Sequence, residues 1–89
     1  MELVLKVFKA VANQRRLNIL RLLMREGELP VSVVSKKIGI SFTSTSKHLL
    51  NLENVGLIRR RETKNWVYYS INPDQKYKYR DILFKFLRR

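Results

Sequence analysis

Cysteine is absent from the 89-residue sequence, and histidine occurs once, proline twice and glycine three times. Without cysteine the chain has no disulfide, no thiolate metal site and no thiol nucleophile. An enzyme needs a cluster of acidic, basic or nucleophilic groups, which the single histidine and seven scattered carboxylates do not supply. We therefore expect no enzymatic activity, no metal site and no cofactor.

Acidic residues are scarce as well, since 19 Lys and Arg stand against 7 Asp and Glu, for a formal net charge of +12. Such a charge attracts polyanions, of which nucleic acid and anionic membrane surfaces are the obvious examples. A 45% share of hydrophobic residues argues against a disordered basic tail. The length fits a single domain, residues 1–89, whose thin core oligomerisation would reinforce.

Long apolar runs are missing too, because Lys6 and Lys9 interrupt the apolar residues at the start of the sequence. This segment lacks the basic region and apolar core of a signal peptide and the length of a membrane-spanning helix. Its polar stripe is narrow and weakly basic, which disfavours a helix lying on a membrane surface. We expect a cytoplasmic protein that does not bind membranes.

Apolar residues at helical spacing dominate the first part of the chain. They predict four helices, over residues 2–12, 14–26, 31–38 and 42–54. Asn13 and Ser41 are good N-caps for the second and fourth helices, and a glycine follows the second and the third. Only Gly39, Ile40 and Ser41 separate the third helix from the fourth, which is the spacing of a helix-turn-helix.

After Gly56 the apolar period changes from about 3.6 to 2, which is typical of strands. The pattern predicts two strands, over residues 57–62 and 66–71, with a turn at residues 63–65 between them. A final helix is predicted over residues 74–88. Residues 28–30 are predicted to be a plain connector. The fold class is mainly α with a two-stranded β-hairpin: a winged helix-turn-helix with an additional helix at each end.

The fourth helix begins with a run of hydroxyl side chains that are poor helix formers. Short hydroxyls let a helix approach a groove closely and donate hydrogen bonds to phosphates and base edges. We expect Thr45, Leu49 and Leu52 to face the core. The positions that then point outward, as candidate nucleic-acid contacts, are Phe42, Thr43, Ser46 and Lys47. The alternative is an ordinary surface helix with an irregular first turn.

The predicted hairpin is strongly basic, with Arg59, Arg60, Arg61 and Lys64 offset only by Glu62. A basic hairpin beside a groove-reading helix can reach flanking phosphates or the minor groove, and we expect Arg60→Ala to weaken binding to all sequences alike. The alternative, which is compatible with the first, is an edge strand protected by charge against aggregation.

Two further features have alternative interpretations. Trp66, Tyr68 and Tyr69 could stack on single-stranded nucleic acid, but alternation places Tyr69 in the core, so packing is the favoured interpretation. His48 is expected to have a structural or phosphate-contacting role, since a lone histidine forms neither a metal site nor a catalytic pair.

The two terminal helices carry more apolar surface than one small chain can bury. We expect them to form a symmetric dimer interface rather than only to complete the core of one chain. The residues assigned to this interface are Leu3, Val7, Phe8, Val11, Tyr79, Ile82, Leu83 and Phe86.

Four segments together resemble the ArsR-type winged helix-turn-helix transcriptional regulators. Residues 10–23, AVANQRRLNILRLL, resemble the opening ALADPTRLRILRLL of that family, and residues 41–49, SFTSTSKHL, resemble SQSTVSRHL. Residues 56–59 and 66–69 resemble the GLV and WVYY segments that bracket the wing. The resemblance implies a homodimer paired through its first and last helices, which binds an imperfect palindrome and typically represses transcription.

The same resemblance implies that Thr43, Ser44, Ser46 and Lys47 lie where such proteins meet the major groove, and that the basic hairpin is the wing. His48 belongs to the same helix and is counted with these positions. Many family members sense metals through a cysteine pair, at positions that Pro30 and Ser32 occupy here, and others use Asp and His of the last helix, which offers only Asp81. Metal sensing and thiol-based redox sensing are therefore not expected.

We expect sequence-specific binding of duplex DNA by a dimer whose two reading helices enter successive major grooves about 34 Å apart. Two other functions remain open. One is sequence-neutral binding of nucleic acid, either chromatin-like or directed at RNA, and the other is a dimerising module for protein interaction. An effector ligand is unknown.

Overall fold

The computed structural model describes residues 2–73 of the chain. The predicted final helix, 74–88, lies outside the described residues, as do the side chain of Leu3 and the proposed interface residues Tyr79, Ile82, Leu83 and Phe86. Within residues 2–73, no helix has the length and apolarity needed to cross a membrane.

The described elements occur in the predicted order, with one additional strand between the second and third helices. They are α1 (Glu2–Val11), α2 (Gln14–Glu26), β1 (Leu29–Pro30), α3 (Val31–Ile38), α4 (Phe42–Asn54), β2 (Ile58–Glu62) and β3 (Val67–Ile71). The three internal helices have the predicted bounds, α1 ends one residue early, and both hairpin strands begin one residue late. The mainly helical winged fold is confirmed.

The sheet differs from the prediction, because the described chain has three strands rather than two. They are antiparallel in the order β1-β3-β2, with Leu29 opposite Tyr69 and Pro30 opposite Tyr68. A strand of two residues is too short to show an alternating pattern, and proline argues against a strand interior. The sequence alone therefore predicts only a connector for residues 28–30, whereas in the folded protein Leu29 and Pro30 form an edge strand of the sheet.

Local capping fixes where α2 begins and ends. The Asn13 side chain accepts hydrogen bonds from the backbone N–H groups of Arg15 and Arg16, at 3.0 and 3.2 Å. The N–H of Gly27 donates to the Leu23 carbonyl at the other end. Both terminal features satisfy backbone groups that a helix leaves without partners.

The turn between α3 and α4 is also held by specific contacts. Gly39 adopts a left-handed conformation, with φ 81° and ψ 33°, which is favourable only without a Cβ atom. The Ser35 hydroxyl donates to the Ile40 carbonyl at 2.7 Å, and Ser41 Oγ accepts from the Ser44 N–H at 3.1 Å. These contacts set the direction in which α4 leaves the turn.

One apolar core joins α1, α2, α3, α4 and the sheet. Its buried residues are Val7, Ala10, Ile19, Leu20, Leu22, Leu23, Val31, Val34, Leu49, Leu52, Leu57, Ile58 and Tyr69. Thr45 is the one buried polar side chain in the described part of the chain, and its hydroxyl donates to the Ser41 carbonyl at 2.8 Å. Because that hydroxyl has a partner, the buried face of α4 carries no unsatisfied side-chain group.

Arg16 attaches α1 to α2. Its Nε donates to the Ala10 carbonyl at 2.6 Å, and its Nη2 donates to the Lys9 carbonyl at 3.2 Å. A cation at the C-terminal end of a helix also interacts favourably with the helix dipole. Together with Val7 and Ala10 in the core, this contact fixes the position of α1 on the rest of the domain.

Leu49 and Leu50 are adjacent leucines that test the orientation of α4, since they are 0% and 48% exposed. Leu49→Ala should lower the free energy of unfolding by about 2–5 kcal/mol, because it leaves a cavity in the core. Leu50→Ala should change it by no more than about 0.5 kcal/mol. Urea unfolding at one fixed protein concentration measures both. Equal effects of the two substitutions would contradict this orientation of α4.

Candidate nucleic-acid interface

The exposed side of α4 carries the residues that the sequence analysis placed there. Phe42, Thr43 and Lys47 are exposed and Ser46 is half-buried, whereas Thr45, Leu49 and Leu52 are buried on the opposite side. A helix with one face in the core and short polar side chains on the other can enter a groove without losing its packing. The contacts of these residues with DNA remain a prediction.

Ser44 and His48 lie on another side of α4, one turn apart and towards α2. Both are half-buried. Burial lowers the pKa of His48 below its usual value of 6.5, and the positive charges of Arg16 and Arg15 on α2 lower it further. The imidazole is therefore neutral near pH 7 and adds no charge to the helix.

The four cations of the hairpin are not equivalent, which the sequence did not indicate. Arg60 lies 3.7 Å from a Glu53 carboxylate oxygen and 3.5 Å from one of Glu62. Within the described residues, no carboxylate lies within 4.0 Å of Arg59 or Lys64. Arg59 lies near enough to Glu28 to help lower the pKa of that carboxyl, but it forms no ion pair, so Arg59 and Lys64 are less closely held than Arg60 and Arg61.

Arg61 is held by two groups of its own chain. Its Nε and Nη2 donate to the two carboxylate oxygens of Glu28, at 3.0 and 2.8 Å, and its guanidinium carbon lies 4.6 Å from the centre of the Tyr68 ring. The hydrogen bonds lower the pKa of Glu28 and raise the pKa of Arg61. This contact links residues 33 positions apart, so no local pattern could have predicted it.

The aromatic residues of the hairpin do not form a stacking row. Tyr69 is buried in the core, the Tyr68 ring is covered by Arg61, and only Trp66, at 52% exposed, presents a large free surface. Core packing with one exposed ring is thus the arrangement observed. The Trp66 backbone closes the turn, since its N–H donates to Thr63 Oγ1 at 3.1 Å and its carbonyl accepts from the Thr63 N–H at 2.9 Å.

A groove of about 460 Å³ separates α4 from the hairpin. Phe42, Ser46 and Leu50 line its helical side. The hairpin and the start of α3 supply the rest of the lining: Val31, Ser32, Arg60, Asn65, Trp66, Val67 and Tyr69. The groove therefore has apolar walls with a few polar groups, and it opens between the two elements expected to face nucleic acid.

The α1 surface requires one correction to the predicted dimer residues. Val7 is buried in the core of its own chain, and Val11 is half-buried against that core. Phe8 is exposed, and so is Leu5, which the sequence analysis did not assign. Because α1 is apolar on most of its sides, its sequence pattern could not show which residues face the core. Contacts with Arg16 and the buried residues of α2 set the orientation of α1.

No group of three or more His, Cys, Asp or Glu side chains in residues 2–73 is arranged to hold a metal ion. Ser32, at one of the two positions that the sequence analysis considered for a metal site, lines the groove.

The protonation of His48 can be measured directly, because it is the only histidine. Burial and two nearby arginines disfavour the imidazolium form, so its NMR titration should have a midpoint below 6.5. His48→Gln should remove the titrating signal, which confirms its assignment. A midpoint at or above 6.5 would show that the ring is not shielded in this way.

Comparison with known proteins shows which family the chain resembles. A family profile described as winged helix-turn-helix DNA-binding matches residues 13–59. The homodimeric winged helix-turn-helix DNA-binding domain Mb0332 of Mycobacterium bovis, a possible ArsR-family transcriptional regulator, has 33% sequence identity and a TM-score of 0.81. The match covers 98% of this chain and 76% of that one.

Curated relatives agree. The arsenic resistance transcriptional regulator ArsR1 of Pseudomonas putida is 35% identical over 68 residues, covering 76% of this chain and 53% of that protein. The transcriptional activator HlyU of Vibrio cholerae is 36% identical over 69 residues, covering 78% and 63%. The chain thus spans between about half and two thirds of these relatives' length. It belongs to the winged helix-turn-helix DNA-binding family and, within it, to the ArsR-type transcriptional regulators.

Proposed function

We propose that this chain regulates transcription by binding duplex DNA as a symmetric homodimer. The observation that carries the proposal is the exposed polar face of α4, flanked by the hairpin cations Arg59 and Lys64 that have no ion-pair partner in the described chain. In this arrangement α4 enters the major groove, and the hairpin contacts phosphates of the flanking backbone.

The dimer of this proposal buries the exposed residues of α1. Leu5 and Phe8 are apolar and exposed, and water contact at both positions is unfavourable. The segment 74–88 would complete the interface, so that residues 1–89 act as one dimerising domain. The domain of the Mycobacterium bovis relative is homodimeric, which supports this assembly.

Two symmetric chains require a site with matching symmetry. The two copies of α4 would read half-sites about 34 Å apart, which corresponds to an imperfect palindrome. We propose repression as the outcome, since a dimer bound across a promoter excludes other proteins from it. Relatives include a protein named as an activator. In this proposal, the position of the DNA site relative to the promoter decides whether binding represses or activates transcription.

The decisive experiment is selection of binding sites from random duplexes, with the mass of the free protein measured in parallel. The proposal expects an enriched palindrome and the mass of two chains. Binding without any enriched sequence would instead indicate a sequence-neutral nucleic-acid protein. A protein that binds no duplex even at low salt would indicate a scaffold for protein interaction.

The salt dependence of binding should separate Arg59 from Arg61. The slope of log K against log salt is negative, and each lost phosphate contact makes it less steep by about 0.9, so Arg59→Ala should make it less steep by about 1.8 in a symmetric dimer. Arg61→Ala is the matched control, because Glu28 already neutralises that side chain, and it should change the slope by less than half as much. Binding titrations at several salt concentrations measure both. A larger change for Arg61→Ala would overturn this assignment of the hairpin cations.

A further inference from the structure

Phe42 is an apolar side chain in a polar environment. It is the first residue of α4, it is 57% exposed, and the positions next to it on the outer face of the helix are Thr43, Ser46 and Lys47. An exposed phenyl ring gives up the free energy that its burial would contribute. Packing within residues 2–73 therefore does not explain a phenylalanine here.

The location of Phe42 indicates what its ring can touch. Side chains near the N-terminus of a recognition helix contact base edges in the major groove. Phe42 lines the groove between α4 and the hairpin, in line with Ser46 one turn later, so its ring borders open space.

Charge identifies the occupant of that space. Arg60 lines the hairpin side of the groove, and the exposed Lys47 and Lys64 are next in sequence to the lining residues Ser46 and Asn65. A second apolar protein surface would have to desolvate these cations, whereas duplex DNA supplies phosphates for them. The groove therefore fits an edge of DNA better than a protein segment.

The chemistry of the major groove leaves one partner for a phenyl ring. The base-pair edges there present hydrogen-bond donors, hydrogen-bond acceptors and a single apolar group, which is the C5 methyl of thymine. A phenyl ring neither donates nor accepts a conventional hydrogen bond. It can therefore favour one base pair over the others only through that methyl group.

We propose that Phe42 is a specificity-determining residue that selects a thymine in each half-site by contact with its C5 methyl group. This inference rests on the proposed function, because it needs α4 in the major groove. It adds a base identity, which the family membership does not supply.

The test uses the full chain and the duplex obtained by selection. Each thymine is replaced in turn by deoxyuridine, which removes only the methyl group and leaves the hydrogen-bonding edge unchanged. One thymine per half-site should show about fourfold weaker binding, equivalent to about 0.8 kcal/mol for one methyl-sized group. Replacement in both half-sites should weaken binding about fifteenfold.

Three variants assign the effect to Phe42. Phe42→Ala should bind the thymine and uracil duplexes equally, and its thermal unfolding should match that of the unsubstituted chain because the ring is exposed. Leu50→Ala removes a similarly exposed apolar side chain from the same groove, two turns further along α4, and should keep the fourfold ratio. Arg59→Ala should weaken both duplexes alike and also keep the ratio.

The outcomes separate this inference from the proposed function. Sequence-specific binding in which no thymine is sensitive to loss of its methyl group leaves the proposed function standing and overturns the role of Phe42. Sensitivity that persists in Phe42→Ala, or that disappears equally in Leu50→Ala, also overturns it. Absence of any specific DNA binding removes the proposed function itself, and the inference with it.

Discussion

The burial of one face of α4 is the constraint on which the rest of the molecule depends. Thr45, Leu49 and Leu52 are almost completely enclosed, and the turn before them is closed by the left-handed Gly39 and the Ser35 hydroxyl. A helix with a fixed start and a fixed inner face has no rotational freedom. Its outer face is therefore presented at one angle, next to a hairpin that packs on the same core through Ile58 and Tyr69.

Charge is organised more finely than the overall excess indicates. Arg60 and Arg61 are neutralised within the chain by Glu53, Glu62 and Glu28, although all of these lie near the surface. Exposed ion pairs contribute little to folding, so their main effect is to set which cations remain available. The same hairpin edge stays charged, which protects β2 from pairing with another chain.

The sequence was sufficient to predict features that depend on neighbouring residues or on a helical period sustained over several turns. Asn13, Ser41 and the glycines marked helix ends because capping involves neighbouring residues, and the period of α4 identified its buried side. It was not sufficient where distant segments meet. Strand β1 exists only because β3 lies beside it, and the Arg61–Glu28 contact and the inward orientation of Val7 are likewise products of packing. For the candidate site, the exposed positions of α4 could be predicted, whereas the unequal availability of the hairpin cations could not.

Trp66 gives the molecule an internal optical reporter. It is the only tryptophan in the sequence, and its indole is 52% exposed at the wall of the groove. Because the ring is already partly in water, unfolding alters its surroundings less than it would for a core indole. A molecule that fills the groove takes water away from that ring, so the intrinsic emission follows occupancy of the groove without an added fluorophore.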